Sequence, residues 1–250
     1  MNVMERPWCE FDEIRQHTDL VIVPLGAVEV YGLHLPTGTD TYVATHVARR
    51  VGEALNAAVL PTLPVGFSRS IADFPGTLNI MPATIVAYLR EMLESVIPWG
   101  FRRILFINSH RGNVNPIDEV ALDLQARFGV KCAQVFWWDY LAPLVKDLCE
   151  TGPLANKHAA EIGTSIMLHL EPDLVVRDRI KDYTPTLTVP FADIGQYKGM
   201  RWRMPTGCGG NPEKATAEKG AQMTQIGVER ILAFVHEQFS SEVVQTAQPT

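Results

Sequence analysis

The sequence predicts an α/β fold with three layers, α/β/α, in which helices cover both faces of a mainly parallel central sheet. Two observations predict this fold. Short apolar segments typical of buried strands alternate with amphipathic helical segments, and this alternation favours a parallel sheet with right-handed crossovers. Glycine-rich loops with acidic and histidine side chains follow two of the strands, and open α/β proteins place their chemistry in such loops.

The first half of the chain is predicted to supply most of the sheet. Residues 20–24 form an uninterrupted apolar segment, which is typical of a buried strand. Apolar residues in the segment after it recur at helical spacing. The elements predicted here are a helix at 7–17, a strand at 20–24, a helix from Thr41 to Leu55, a short strand at 57–63, a helix from Pro82 to about Trp99 and a strand at 102–108.

The second half continues this alternation and then loses it. We expect a helix at 114–128, a strand at 131–137, a helix at 158–170 and a closing helix at 213–239. Prolines and glycines interrupt short apolar runs between 171 and 212, which predicts a long excursion near the site or at a subunit contact. The polar tail at 240–250 is expected to be frayed. Because no repeat or linker divides the chain, residues 1–250 are predicted to form a single domain.

Composition and charge narrow the class of protein. A net charge of −6 and the lack of a Lys/Arg-rich block argue against a nucleic-acid partner. The N-terminus does not resemble a secretory signal and no apolar segment is long enough to span a bilayer, so no membrane partner is expected. The four cysteines form no CxxC pair, which predicts reduced thiols and a cytoplasmic location. A Rossmann-type nucleotide binder is disfavoured because no G-x-G-x-x-G follows the first strand.

The loop from Leu25 to Asp40 carries the first candidate metal ligands. Glu29, His34 and Asp40 lie between the first strand and the helix that follows. Two carboxylates and an imidazole suit Zn²⁺ or Mn²⁺, and a catalytic ion needs an open coordination position for water. Such an ion lowers the pKa of bound water and polarises the carbonyl under attack. The loop therefore predicts a metal-assisted hydrolase.

Two further places in the chain carry candidate side chains. His110 follows the strand that ends at Asn108, while His158 and Glu161 are three residues apart in a predicted helix and so on one face. Side chains from these places are expected to converge with the first loop over the strand ends. His158 suits proton transfer to a leaving nitrogen.

Each candidate also has a purely structural explanation. Asp40 could cap the helix that it precedes. His110 could be a histidine whose hydrogen bonds are satisfied within a turn. Glu161 could be favoured in the first turn of its helix by the helix dipole alone. No single residue decides between metal binding and these roles.

Five segments together resemble the creatininase (creatinine amidohydrolase) family. Residues 26–40, GAVEVYGLHLPTGTD, resemble the family pattern G-[AS]-x-E-Q-H-G-P-H-L-P-x-x-T-D. Residues 74–77, FPGT, and 108–113, NSHRGN, are similar to the family's FPGT and N-G-H-G-G-N segments. Residues 158–165, HAAEIGTS, resemble its H-A-G-E-x-E-T-S helix, and residues 211–220 resemble its G-D-P-x-x-A-x-x-E-K-G region. The segments follow the family's order.

The resemblance implies a creatininase-like fold and a metal-dependent hydrolase of a C–N amide bond in a small or cyclic amide. It also implies a homo-oligomer, usually a hexamer built from dimers. By position, Glu29, Asp40 and His110 correspond to the ligands of one metal ion, and Asp40 also to the carboxylate that bridges to a second. His158 corresponds to a histidine at the catalytic centre, and Glu161 is a candidate ligand of the second ion.

The chain departs from the family pattern around the second ion and the substrate. Tyr31 stands where the family usually has a metal-binding histidine, Gly163 replaces a glutamate, and Gly112 stands where creatininase itself has a glutamate. Lys157 and Leu154 stand where creatininase has a glutamate and a tryptophan near the substrate. One well-held ion, with Tyr31 donating a hydrogen bond to the developing oxyanion, is therefore an alternative to two ions.

Two other features complete the expected site. His34 is expected behind the metal ligands or on the substrate side of the site. Trp138 and Asp139 match the family's tryptophan–aspartate pair, which predicts an aromatic pocket wall. Three hypotheses stay open: an amide hydrolase, which we favour, a one-metal lyase or isomerase of the same fold, and a non-enzymatic protein that binds a small molecule or a metal.

Overall fold

The computed structural model describes residues 2–183, 191, 194–196 and 198–240. Part of the predicted excursion at 171–212 and residues 241–250 of the predicted tail lie outside the described residues. Within the described part, no helix is long and apolar enough to cross a membrane.

Strands and helices alternate through the first half of the chain, as predicted. The strands are β1 (Leu20–Leu25), β2 (Ala58–Val59), β3 (Arg103–Asn108) and β4 (Lys131–Phe136). The helices are α1 (Trp8–His17), α2 (Thr39–Ala54), α3 (Pro82–Val96), α4 (Val114–Phe128), α5 (Trp137–Leu141), α6 (Glu161–Leu170), α7 (Met200–Arg203) and α8 (Ala217–Glu237).

The four strands form one parallel sheet in the order β2-β1-β3-β4. β1 and β3 pair along their whole length, from Leu20 opposite Arg103 to Leu25 opposite Asn108. All six residues of β1 are buried, which explains why this strand is apolar throughout instead of alternating. The prediction of a mainly parallel sheet is confirmed.

Helices cover both faces of this sheet. Side chains alternate between the two faces along a strand, so Leu20 and Ile22 pack into one apolar core while Val21 and Val23 pack into another. The first core contains residues of α2, α6 and α8, and the second contains residues of α1, α3 and α4. The predicted three-layer α/β/α fold is therefore confirmed.

The strand order opens a crevice at the carboxyl ends of β1 and β3. The chain leaves β1 through α2 toward β2 at one edge, and leaves β3 through α4 toward β4 at the other. Because α2 and α4 belong to opposite layers, the two loops diverge. Ligands bind at such switch points in open α/β sheets. Glu29 and Asp40 follow β1 and His110 follows β3, so all three lie at this crevice.

The helix predicted at 158–170 begins only at Glu161, and His158 lies in the turn before it. Ala159 has a positive φ of 55° and Ala160 is extended, so the backbone is not helical at either residue. His158 and Glu161 therefore do not share a helix face, and this prediction is wrong. Apolar spacing could not locate the break, because alanine favours helices.

Other element ends also shift for local reasons. The predicted strand at 57–63 shortens to Ala58–Val59, since Pro61 cannot donate a hydrogen bond to a sheet. Trp137 begins α5 instead of ending β4. The closing helix begins at Ala217, where the Thr216 side chain caps it by accepting a hydrogen bond from the Lys219 backbone N–H.

His34 lies in the loop between β1 and α2 (the β1 loop). It is fully buried and joins this loop to α6. Its Nε2 lies 2.8 Å from Oγ1 of Thr164, whose hydroxyl donates to the carbonyl of Ala159, so Nε2 of His34 is the donor to Thr164. Nδ1 has no hydrogen-bond partner among the described residues. Burial lowers the pKa of His34 to about 4, which keeps the ring neutral at pH 7.

Helix α8 packs closely on α6 at Gly220. A Cβ built on Gly220 would lie 1.9 Å from the carbonyl oxygen of Ser165 and 3.0 Å from Cβ of His169. Gly220→Ala would gain about 0.5–1 kcal/mol from helix propensity alone, but this backbone overlap outweighs the gain. We expect the free energy of unfolding to fall by about 1–3 kcal/mol, measured by urea denaturation.

Gln222→Ala is the matched control, because Gln222 lies on the exposed side of the same helix. Its free energy of unfolding is expected to stay within about 0.5 kcal/mol of the parent protein. If the two variants were equally stable, the contact between α6 and α8 would not require glycine.

The low pKa of His34 predicts a loss of stability in acid. The unfolded chain binds a proton at this ring below about pH 6.5, while the folded state keeps the ring neutral down to about pH 4. The free energy of unfolding should therefore fall as the pH drops through this window, by about 3 kcal/mol at most from this group. His34→Gln should lack this component in urea titrations between pH 7 and pH 4. If the free energy of unfolding fell equally with pH in the two proteins, His34 would not be the source of the acid sensitivity.

Candidate metal centre and active-site cavity

Glu29, Asp40 and His110 meet in the crevice, with one ligand atom of each within 4.8 Å of the others. All three side chains are buried. Glu29 lies in the β1 loop, where its backbone N–H donates to the Thr37 carbonyl at 2.8 Å. Asp40 lies in the first turn of α2, but the N-cap is Gly38, so the carboxylate is not the helix cap. The structure thus brings together three of the predicted metal ligands.

One asparagine side chain ties together the two loops that carry these residues, and another orders the loop after β3. Nδ2 of Asn113 donates to the Gly26 carbonyl at 2.9 Å, and Oδ1 of Asn108 accepts from the backbone N–H of His110 at 2.9 Å. Gly26 has no room for a side chain, since a Cβ there would lie 2.4 Å from Cα of Thr41. This close approach of loop and helix positions the two carboxylates relative to each other, and the Asn113 bond ties them to the loop that carries the imidazole.

Hydrogen bonding directs one ring nitrogen of His110 toward the two carboxylates. Nε2 lies 2.9 Å from the Phe67 carbonyl, which can only accept, so Nε2 carries a hydrogen. Nδ1 lies 3.3 Å from both Oε2 of Glu29 and Oδ2 of Asp40. The Ser68 hydroxyl also donates to Oε2 of Glu29 at 2.7 Å. Metal-binding histidines usually donate their second ring N–H to an oxygen, as His110 does to the Phe67 carbonyl.

Protein groups alone do not neutralise the negative charge of this cluster. Burial lowers the pKa of His110, but hydrogen bonds to Asp40 and Glu29 outweigh it and raise the pKa to about 11. Burial raises the pKa of Asp40. Burial also acts to raise the pKa of Glu29, but the hydrogen bond and charge of His110, together with His158 and Ser68, outweigh it and lower the pKa. Two carboxylates and one imidazolium leave a net charge of −1, whereas a divalent ion with a neutral imidazole brings it to zero. The donor set therefore fits a divalent metal ion.

The second oxygen of Asp40 is already occupied. Oδ1 accepts from the Tyr31 hydroxyl at 3.0 Å and from Nε1 of Trp138 at 3.0 Å, an N–H that is shared with the Ser109 carbonyl, while Oδ2 faces His110. Burial and the Asp40 charge raise the pKa of Tyr31 well above its usual value, so the phenol stays protonated. Its single proton is used at Asp40, which favours a positioning role for Tyr31 over the expected bond to an oxyanion.

A cavity of about 330 Å³ lies over the cluster. His158 lines it, with Nε2 donating to the Val30 carbonyl at 2.7 Å. The His158 ring lies against Tyr31 with 4.3 Å between ring centroids. Trp138 and Asp139 also line the cavity, which agrees with the predicted aromatic wall.

The sequence suggested that Glu161 binds a second metal ion, but in the structure its carboxylate is bound by other protein groups. Nζ of Lys219 lies 2.7 Å from Oε1, and Thr151 donates to Oε2 through its hydroxyl and its backbone N–H, at 2.6 and 2.8 Å. The Glu150 backbone N–H adds a further donor at 3.0 Å. Burial raises the pKa of Glu161, but the Lys219 bond and the others outweigh it and lower the pKa. These donors give Glu161 a structural role, holding the 150–151 turn and α8 to α6.

The departures from the family pattern have geometric counterparts. A Cβ on Gly112 would lie 2.0 Å from the Phe67 carbonyl oxygen, so the site in this conformation cannot hold a side chain there. Gly163 faces the rings of Tyr31 and Trp138, 3.7 and 3.9 Å from its ideal Cβ. Among the described residues, the cluster of Glu29, Asp40 and His110 is the one group suited to a metal ion.

Two positions were expected for His34, behind the metal ligands or on the substrate side, and the structure does not support the catalytic role on the substrate side because His34 does not line the cavity. Sequence reasoning also missed Ser68 and the carbonyl of Phe67, which hold Glu29 and His110. A backbone carbonyl has no signature in the sequence. Gly66, whose ideal Cβ would lie 2.8 Å from the His110 ring, was the available sign that this irregular segment packs against the site.

Comparison with known proteins places these residues in a family. The creatininase family, described as creatinine amidohydrolase, matches residues 4–235. Creatinine amidohydrolase of Pseudomonas putida is 29% identical, over 95% of this chain and 96% of that protein. Mycofactocin precursor peptide peptidase of Mycolicibacterium smegmatis is 31% identical, over 84% of this chain and 82% of that protein.

Solved structures agree with the sequence matches. A mutant creatininase of the Zn–Zn type superposes with a TM-score of 0.84 at 27% identity, covering 96% of this chain and 98% of that one. A manganese creatininase superposes with a TM-score of 0.83 at 27% identity, covering 96% and 99%. The chain therefore belongs to the creatininase (creatinine amidohydrolase) family of metal-dependent amidohydrolases.

Proposed function

We propose that this protein hydrolyses a C–N amide bond in a small amide with one divalent ion, Zn²⁺ or Mn²⁺, held by Glu29, Asp40 and His110. The observation that carries the proposal is the convergence of Oε2, Oδ2 and Nδ1 of these residues, with Nε2 of His110 fixed on a carbonyl. Bound there, a divalent ion would lower the pKa of a water molecule and polarise the amide carbonyl.

A single ion is favoured because Asp40 offers only one oxygen. Oδ1 already accepts two hydrogen bonds, from Tyr31 and Trp138, and an oxygen in that state is a poor bridge to a second ion. Gly112 and Gly163 supply no carboxylate in its place. Tyr31 and Trp138 thus orient Asp40 so that Oδ2 faces Glu29 and His110.

His158 is the residue that we assign to proton transfer. Because Nε2–H is bound to the Val30 carbonyl, the neutral ring carries its lone pair on Nδ1. This nitrogen can accept a proton from the attacking water and give it to the leaving nitrogen. Stacking against Tyr31 holds the ring at the cavity wall. The hexameric assembly implied by the resemblance and the cytoplasmic location predicted from the cysteines stay predictions.

The reaction class is tested by incubating the metal-loaded protein with a panel of small linear and cyclic amides, creatinine included. Release of an amine or ammonia with uptake of one water supports hydrolysis. Products of unchanged mass would instead support a lyase or isomerase of the same fold. Binding without any turnover across the panel would support a binding protein.

Metal stoichiometry tests the ligand set. We expect one Zn²⁺ or Mn²⁺ ion per chain by elemental mass spectrometry after dialysis. Glu29→Gln and His110→Ala each remove one of three protein ligands and should weaken metal binding by at least about tenfold. Asp139→Asn, a carboxylate of the same cavity outside the cluster, is the control and should keep the metal. Two ions per chain, or full metal content in both ligand variants, would refute the assignment.

Tyr31→Phe tests how Asp40 is held. The substitution keeps the ring against His158 but removes one of the two donors to Oδ1. We expect kcat or metal affinity to fall by about 10- to 100-fold, as is typical when a partner of a metal ligand is lost. Tyr140→Phe is the control, since its hydroxyl bonds the Gly227 carbonyl away from the cavity. Unchanged activity and metal affinity in Tyr31→Phe would leave the phenol without a role.

A further inference from the structure

One positive charge at the cavity is not used by the proposed reaction. Lys157, next to His158, lines the cavity and is exposed. Its ammonium makes no hydrogen bond or ion pair with any residue that the structure describes. Arg111 also lines the cavity, but it forms an ion pair with Asp139 and lies over the Phe136 ring, 4.8 Å from its centroid. Lys157 is therefore the lining cation that remains available.

The net charge of the cavity lining follows from its ionised side chains and the divalent ion. Glu29 and Asp40 together balance a divalent ion, with His110 neutral as its ligand. Arg111 and Asp139 balance each other. Lys157 then leaves one uncompensated positive charge on the described lining of a cavity of about 330 Å³. Ligand pockets begin at about this size, so the cavity suits a small molecule with a single negative charge.

A buried hydroxyl in the same cavity also has no partner. Ser109 is fully buried and lines the cavity, yet its Oγ has no hydrogen-bond partner among the described residues. Trp138 shares its one indole N–H between the Ser109 backbone carbonyl at 2.5 Å and Oδ1 of Asp40 at 3.0 Å. Neither bond uses the Ser109 hydroxyl, which is left for a ligand. A buried hydroxyl without a partner is costly, and an acceptor oxygen on a bound molecule would satisfy it.

The base of Lys157 is held in place. A Cβ built on Gly210 would lie 2.8 Å from Cβ of Lys157, so the two backbones approach closely. The Lys157 carbonyl also accepts from the Ala160 N–H at 3.1 Å. The turn that also carries His158 therefore fixes the backbone and Cβ from which the Lys157 side chain extends along the cavity.

We infer that the substrate is a small amide that also carries a carboxylate, with Lys157 pairing with the carboxylate and the Ser109 hydroxyl donating to an oxygen of the same molecule. A monoanion matches the single free charge, whereas a phosphate would need further cationic donors. The inference rests on the proposed function in two respects: the divalent ion that balances Glu29 and Asp40, and the amide group at the metal end of the cavity.

Matched pairs of small amides test this inference on the zinc-loaded protein. Pyroglutamate and pyroglutamamide form a cyclic pair, and N-acetylglycine and N-acetylglycinamide form a linear pair. Each pair differs only in the carboxylate. Affinity is measured by calorimetry and turnover by amine release. We expect the carboxylate member of at least one pair to bind about tenfold more tightly than its neutral partner, which is the effect of one charge-assisted hydrogen bond.

Lys157 variants show whether that preference comes from the ammonium. Lys157→Met should remove it, Lys157→Glu should reverse it, and Lys157→Arg should retain it. Ser109→Ala should weaken both members of a pair without changing their ratio. Equal affinities within both pairs, a preference that survives Lys157→Met, or no binding of either carboxylate would overturn the inference.

The two proposals fail in different ways. A carboxylate preference without turnover would leave the anion site standing and count against amide hydrolysis. Turnover of neutral amides with no preference for a carboxylate would support amide hydrolysis and count against the anion site. Loss of folding in a variant is detected by its urea transition, and Lys157→Arg then decides between charge and structure.

Discussion

The structure depends most on holding two buried carboxylates, Glu29 and Asp40, beside one imidazole. Like charges at this distance in a low-dielectric site repel strongly, so the cluster persists only with a cation among them. A proton on His110 supplies part of that charge in the protein alone, and a divalent ion supplies all of it. The close packing at Gly26 and the bond from His110 to the Phe67 carbonyl keep the three groups together.

The sequence predicted β1 and β3 well because their central residues are apolar. All six residues of β1 and the last five of β3 are buried, and short apolar runs bounded by loops are typical of strands buried on both faces. Prediction failed where backbone conformation overrides composition. The turn at Ala159 and Ala160 consists of good helix formers, yet it holds His158 outside α6 because the surrounding packing determines the left-handed φ.

The candidate site was predictable to the extent that its residues lie next to strand ends. Glu29, Asp40 and His110 follow strands that pair directly, so their proximity follows from the parallel sheet. Glu161 and His34 carry the same residue types, but their surroundings come from distant segments. Lys219 and Thr164 are separated from them by 58 and 130 positions and give them structural partners that local sequence cannot reveal.

Tyr31 and Gly163 are best understood as one coupled change beside Trp138, which matches the family pattern. The Tyr31 ring and the Trp138 indole occupy space in front of Gly163, and both donate to the same oxygen of Asp40. A glutamate at position 163 would extend its carboxylate into these rings and compete for their hydrogens. A histidine and a glutamate there could ligate a second ion, whereas tyrosine with glycine fills that space and, in the proposed one-metal site, holds Asp40. Because both positions border the same space beside Asp40, we expect them to change together while the three proposed metal ligands stay unchanged.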